Sequence, residues 1–118
     1  MIEMASLKAV DVSPEAATLL RLLGDPTRRG IFLLVLQGEI CNCEVAEVLA
    51  LPQNLISHHL RKLREAGLVE EHRDPHDARW VHYSVNETAL ALAWKGLEDH
   101  LHVSQQAMRV PACRARHG

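Results

Sequence analysis

Mainly α-helix with one small β-hairpin, arranged as a winged helix-turn-helix, is the fold class this sequence predicts. Helical apolar periodicity recurs five times along the chain, and two of its starts pair a capping residue with proline. Two of the helices are short neighbours joined by a tight turn, the second displaying amides, a hydroxyl and cations, which is the pattern of a helix-turn-helix. One stretch near residue 70 switches to strand-like alternation around a turn-rich centre, which would form the wing. The 118 residues make one domain, and 47% hydrophobic content supplies a core, although a chain this small would gain from a partner subunit. No stretch approaches the roughly 20 apolar residues that span a bilayer, and "MIEMASLKAV" lacks the basic start and apolar run of a signal peptide. A cytoplasmic location without a membrane partner is therefore expected.

Residues 1–12 show no period and are expected to form a flexible N-terminal arm. The domain proper is expected over 13–110. Ser13-Pro14 is a cap followed by proline, and Ala16, Ala17, Leu19, Leu20, Leu22 and Leu23 form an apolar face that ends at Gly24. Asp25-Pro26 repeats that start, with Ile31, Leu34 and Val35 at helical spacing before Gly38. Gly30 inside this helix costs about 1 kcal/mol relative to alanine unless a close contact uses it. A short third helix is expected from Cys43 to Leu49 with Val45, Val48 and Leu49 inward. In "QNLISHHLRKLREAG" the residues Leu55, Ile56, His59, Leu60 and Leu63 trace one face of a fourth helix that ends at Gly67. "LVEEHRD" and "RWVHYSV" flank the turn Asp74-Pro75-His76-Asp77-Ala78. From Asn86, a cap, a long last helix carries Leu90, Ala93, Trp94, Leu97 and Leu101 on its apolar side, and Pro111 opens a small basic tail, 111–118.

The polar face of the fourth helix makes double-stranded DNA the expected partner. Gln53, Asn54 and Ser57 occupy its first turns, where side chains reach base edges, and an amide can pair bidentately with adenine. His58, Arg61 and Lys62 on the helix, with Arg73 and Arg79 on the wing, can contact phosphates. A solvated polar face is the plain alternative for such a helix taken alone, and the neighbouring short helix and hairpin favour the DNA reading. The formal net charge of −2 runs against it. From Gln53 to Tyr83 the five basic residues (Arg61, Lys62, Arg64, Arg73, Arg79) equal the five acidic ones (Glu65, Glu70, Glu71, Asp74, Asp77), so any basic surface must come from placement.

Three cysteines are an odd number for a disulfide framework, and two of them stand one residue apart in "ICNCEV". Residues two apart in a regular helix point about 200° from each other. For Cys41 and Cys43 to face one ion, Cys41 must lie at or before the helix start, or the ion must bend that start. A helix N-terminus favours thiolate, and soft thiolates select soft ions. No phosphate loop, alternating strand-helix sheet or redox C-x-x-C is present, so an enzyme is not expected.

The stretch from "LGDPTRRGI" through "EICNCEVAEVLALPQNLISHHLRKLREAGLVEEHRDPHDARWVHYSV", about residues 22–85, resembles the ArsR/SmtB family of metal-sensing transcriptional repressors. The resemblance implies a winged-helix homodimer whose first and last helices pair across the two-fold axis, and which leaves operator DNA when a toxic ion binds. It also implies As(III) or Sb(III) as the inducer held by Cys41 and Cys43, with Cd(II), Pb(II) or Zn(II) as alternatives. In the family's arsenic sensors a third cysteine follows at the position that is Ala46 here. Cys113 on the tail is the remaining candidate ligand within the chain, its alternative a bystander on a free end, and a two-thiolate site completed by a small external thiol is the other reading. A second family site, on the last helices, would fall on Glu87, Ala89, His100 and Val103, where two of the four ligands are lost, and it is not expected. A thiol redox or persulfide sensor, pairing Cys41 or Cys43 with Cys113, is the rival within regulation.

Overall fold

A computed structural model describes the backbone of residues 11–107 and the side chains of 11–101. Nearly all of the expected arm, and the tail with Cys113, lie outside the described residues. Helix α1 (Pro14–Leu23) begins where Ser13 Oγ accepts the Ala16 N–H at 3.2 Å, and α2 (Pro26–Leu36) where Asp25 accepts the Arg28 N–H at 2.8 Å. Arg28 Nε then donates to the Leu22 carbonyl at 3.0 Å, and Arg29 Nη1 to that of Leu23 at 2.9 Å. These bonds satisfy carbonyls that the end of α1 leaves open and fix the corner between the two helices.

Strand β1 (Ile40–Cys41) leads directly into α3 (Asn42–Leu49), which ends at Ala50 in the left-handed region, φ 54°. Helix α4 (Gln53–Glu65) follows after Pro52 and stops at Gly67, whose φ of 81° suits a residue without a Cβ. Strands β2 (Val69–Arg73) and β3 (Val81–Val85) form the hairpin, and α5 (Glu87–Ala107) starts where Asn86 Oδ1 accepts the Ala89 N–H at 3.1 Å.

The expected hairpin is two strands of a three-stranded antiparallel sheet in the order β1-β3-β2, with Ile40 opposite Tyr83 and Cys41 opposite His82. A two-residue strand has no period to read, and its pairing partner lies about forty residues on. The third helix starts at Asn42, one residue earlier than expected.

Ile31, Phe32, Val35, Val45, Ile56, Leu60 and Leu63 form the centre of the core, joined by Leu68, Val69, Val81 and Tyr83 from the sheet. Several apolar positions expected inside are exposed: Leu20, Val48, Leu55, Trp94 and Leu101. In α3, two turns long, Ala46 takes the inward place beside Val45 and leaves Val48 at 62% exposure. In α5 the contact with α1 runs through the side that buries Ala93, so Trp94 next to it points away. Phe32, which the spacing did not single out, is 1% exposed.

Candidate DNA-binding face and thiol site

Helix α4 divides cleanly by side. Ile56, Leu60 and Leu63 are buried against the core, whereas Gln53, Asn54, His58, Arg61 and Lys62 are exposed and Ser57 is half-buried. Pro52 at its start offers no side-chain cap, and its carbonyl accepts the Leu55 and Ile56 N–H groups at 3.1 Å. Arg61 Nη2 lies 3.4 Å from His58 Nδ1, which holds both on the outer side.

The wing shows how a chain with balanced charge can still present a basic edge. Arg64 is tied to Glu71 on β2, and Arg79 grips Asp77 through Nε at 3.0 Å and Nη2 at 2.8 Å. That grip holds the Asp77 carboxyl below its ordinary range and the Arg79 guanidinium above its own. Arg73 donates from Nη1 to the Ala78 carbonyl at 2.9 Å, which closes the wing tip. Arg61, Lys62 and Arg73 have no carboxylate partner among the described residues, so their charge faces outward unneutralised. The acidic partners consume Arg64 and part of Arg79.

Cys41 has three structural roles at once. It is the last residue of β1, paired with His82; it is the N-cap of α3, with its Sγ accepting the Cys43 N–H at 3.4 Å; and its own N–H donates to Glu44 Oε1 at 3.1 Å. Its φ and ψ, −78° and 146°, are extended, so its side chain folds over the first turn of α3 instead of following the helical rotation. The Cys41 thiol in turn donates to Asn42 Oδ1 at 3.4 Å. The neighbouring Cys41 side chain first, burial second, holds the Cys43 thiol above its ordinary value. For Cys43 this direction runs against the thiolate expected at a helix start: the Cys41 side chain outweighs the backbone N–H of Glu44, which acts in the other direction.

Cys41 is buried and Cys43 half-buried, the latter bordering a cleft of about 310 Å³ with Asn42, Gln53, Arg79 and Trp80. The cleft thus joins the start of α3, the start of α4 and the root of the wing. Trp80 and Glu44 escaped the sequence reading; the pattern S/T-x-x-E that signals a capping box is disguised here by cysteine in the first place. Among the described residues no group of three or more His, Cys, Asp or Glu side chains is gathered to hold a metal ion, and Cys113 lies outside them. The Cys41/Cys43 pair supplies two soft donors at the start of α3.

Comparison with known proteins fits this geometry. Residues 25–71, from the cap of α2 to β2, match the family model described as "Bacterial regulatory protein, arsR family". The arsenical resistance operon repressor of Escherichia coli (strain K12) is 35% identical over 92 residues, covering 77% of this chain and 76% of that protein. The chain belongs to the ArsR family. This ArsR-family chain is also 40% identical over 67 residues to the arsenic resistance transcriptional regulator ArsR1 of Pseudomonas putida (strain KT2440), covering 56% of the chain and half of that regulator's length. A solved structure described as a possible transcriptional regulator for arsenical resistance superimposes with a TM-score of 0.59 at 27% identity, covering 76% of this chain and 96% of that one. The architecture is a winged helix-turn-helix, and the chain is a DNA-binding transcriptional repressor whose relatives are regulators and not enzymes. No helix among the described residues is long and apolar enough to cross a membrane.

Proposed function

We propose that this repressor senses trivalent arsenic or antimony through Cys41 and Cys43, and that loading the pair releases operator DNA. The observation that carries the reading is the placing of both cysteines at the junction of β1 and α3, where the Cys41 sulfur caps the helix by accepting the Cys43 N–H at 3.4 Å. The names of its arsenic-responsive relatives support the choice of ion. Cadmium, lead and zinc also accept thiolates and are the alternative inducers.

The junction explains how a small ligand could act at a distance. The Cys41 sulfur caps α3, which packs on α4, and the Cys41 backbone pairs with β3, which carries the wing. A bound ion draws the sulfur away from the Cys43 N–H, so α3 loses its cap while β1 is pulled at its end. Both DNA-contacting elements are anchored to the moving residue. Gln53, Asn54 and Ser57 read bases in the major groove, and His58, Arg61, Lys62, Arg73 and Arg79 hold phosphates, in a homodimer whose half-sites lie one helical turn or a multiple apart. A coupling of about 1 to 3 kcal/mol between the sites lowers operator affinity by roughly 5- to 150-fold.

Fluorescence anisotropy of the reduced protein on its promoter DNA, titrated with arsenite, antimonite, cadmium, lead and zinc, tests this directly. Cys41→Ser and Cys43→Ser are expected to bind DNA as the wild type does and to stay bound when arsenite is added, since serine at 41 still offers an oxygen to the helix start. Loss of DNA binding in both variants would sink the sensing role. Release by oxidant alone, with a disulfide in the intact mass, would favour the redox reading instead.

A further inference from the structure

The cleft beside Cys43 has walls of a particular chemistry: two amides from Asn42 and Gln53, the Arg79 guanidinium and the Trp80 indole, with no carboxylate among them. Asp77 engages Nε and Nη2 of Arg79, which leaves Nη1 without a partner among the described residues on a side chain that is 88% exposed. A cation with a spare donor, an aromatic plane and two amides make a seat for a small, polar, anionic molecule.

A trivalent arsenic centre forms three bonds, and the described part of this chain offers two sulfurs. One turn on from Asn42 and Cys43, the inward position is Ala46, a buried methyl group packed in the core. Cys43 opens on the cleft, with Cys41 buried beside it. We propose that the third bond is made by a low-molecular-weight thiol carrying a carboxylate, which sits in this cleft with its carboxylate on Arg79 and its stem against Trp80. The inference deepens the metalloid reading above and rests on it. Arsenous acid exchanges its three hydroxyls for three sulfurs: three As–O bonds break, three As–S bonds form, and each thiol proton leaves with a hydroxyl as water. No electron changes hands.

The seat has a consequence for release. Gln53 and Arg79 belong both to the cleft and to the proposed DNA face, so the thiol occupies two side chains that the operator also needs. The response to arsenite then depends on the surrounding pool of small thiols.

The test titrates arsenite into the full reduced chain in a thiol-free phosphine buffer, alone or with mercaptopropionate or its neutral counterpart mercaptoethanol, read by tryptophan fluorescence and native mass spectrometry. The expected result is a complex of chain, one arsenic and one mercaptopropionate, with arsenite held about tenfold more tightly than in phosphine alone. Mercaptoethanol should help about threefold less, as befits an exposed charge pair, and Arg79→Gln should abolish that difference while arsenite still binds. Arsenite held equally well with and without added thiol, and weakened by Cys113→Ser, overturns the proposal in favour of the chain's own third cysteine. Equal enhancement by both thiols in wild type and Arg79→Gln overturns the seat. Failure of arsenite to bind under every condition sinks the metalloid reading itself, a result separable from the other two.

Discussion

His59 is the residue at which burial and charge disagree most openly. It lies on the apolar side of α4, and its Nδ1 is a buried side-chain polar atom without a hydrogen-bond partner among the described residues. Burial lowers the pKa of its imidazole below the ordinary value; the Asp25 carboxylate pulls the other way, and Arg28, His58 and Lys62 add to the lowering. A histidine whose folded-state pKa is depressed binds its proton more readily when unfolded. Its contribution to stability is therefore complete above the unfolded value of about 6.5 and is lost as pH falls from there through the lower folded value. Urea denaturation at pH 7, 6 and 5 should show stability declining over this window, and His59→Leu should flatten the decline. An unchanged slope in the variant would place the cause elsewhere.

At the scale of elements, two glycines in helices make opposite demands. Gly96 sits where α5 crosses the start of α1, and a Cβ there would collide with Oγ and Cβ of Ser13, the residue that caps α1. Gly30 in α2 has nothing within 4 Å of the same construction, so no close helix contact uses it. Gly96→Ala is expected to cost about 1 to 3 kcal/mol through overpacking at the α1–α5 crossing. Gly30→Ala should add about 0.5 to 1 kcal/mol by restricting the unfolded chain and improving helix propensity. Urea midpoints of the two variants beside wild type check both signs at once. The same contrast shows what the sequence could convey. Ser13, Asp25 and Asn86 were readable as caps because capping is local, whereas helical rotation put Cys41 at or before the start of α3 only on the condition that both thiols face one ion. Gly96, by contrast, looks like any helix-weakening glycine until the crossing partner is known. Strand β1 and the turning of Val48 outward and Phe32 inward depend likewise on which distant surface arrives. The candidate DNA side chains on α4 could be read from period, whereas the meeting of Cys43 with Arg79 and Trp80 required the fold.

The whole molecule leaves an apolar surface that a single chain does not explain. Trp94 and Leu101, seven residues apart on one side of α5, are 58% and 54% exposed, and Leu20 on α1, the helix packed beside it, is 50% exposed. Large apolar side chains left exposed on two packed helices suit an association surface. A two-fold pairing of α1 and α5 with their copies would cover these side chains and set two α4 helices at a fixed spacing, as a palindromic operator requires. Each chain alone would hold only one half-site and lose the second set of phosphate contacts. Trp94→Glu puts a charge on this surface without touching the core, so each chain should still fold while sedimenting as a monomer at concentrations where the wild type is expected to sediment as a dimer. Operator affinity should fall with it, and the wild-type melting temperature should rise with protein concentration where the variant's does not. A variant that sediments as the wild type does would show that the surface serves something other than self-association, and the spacing of the two recognition helices would then need another source.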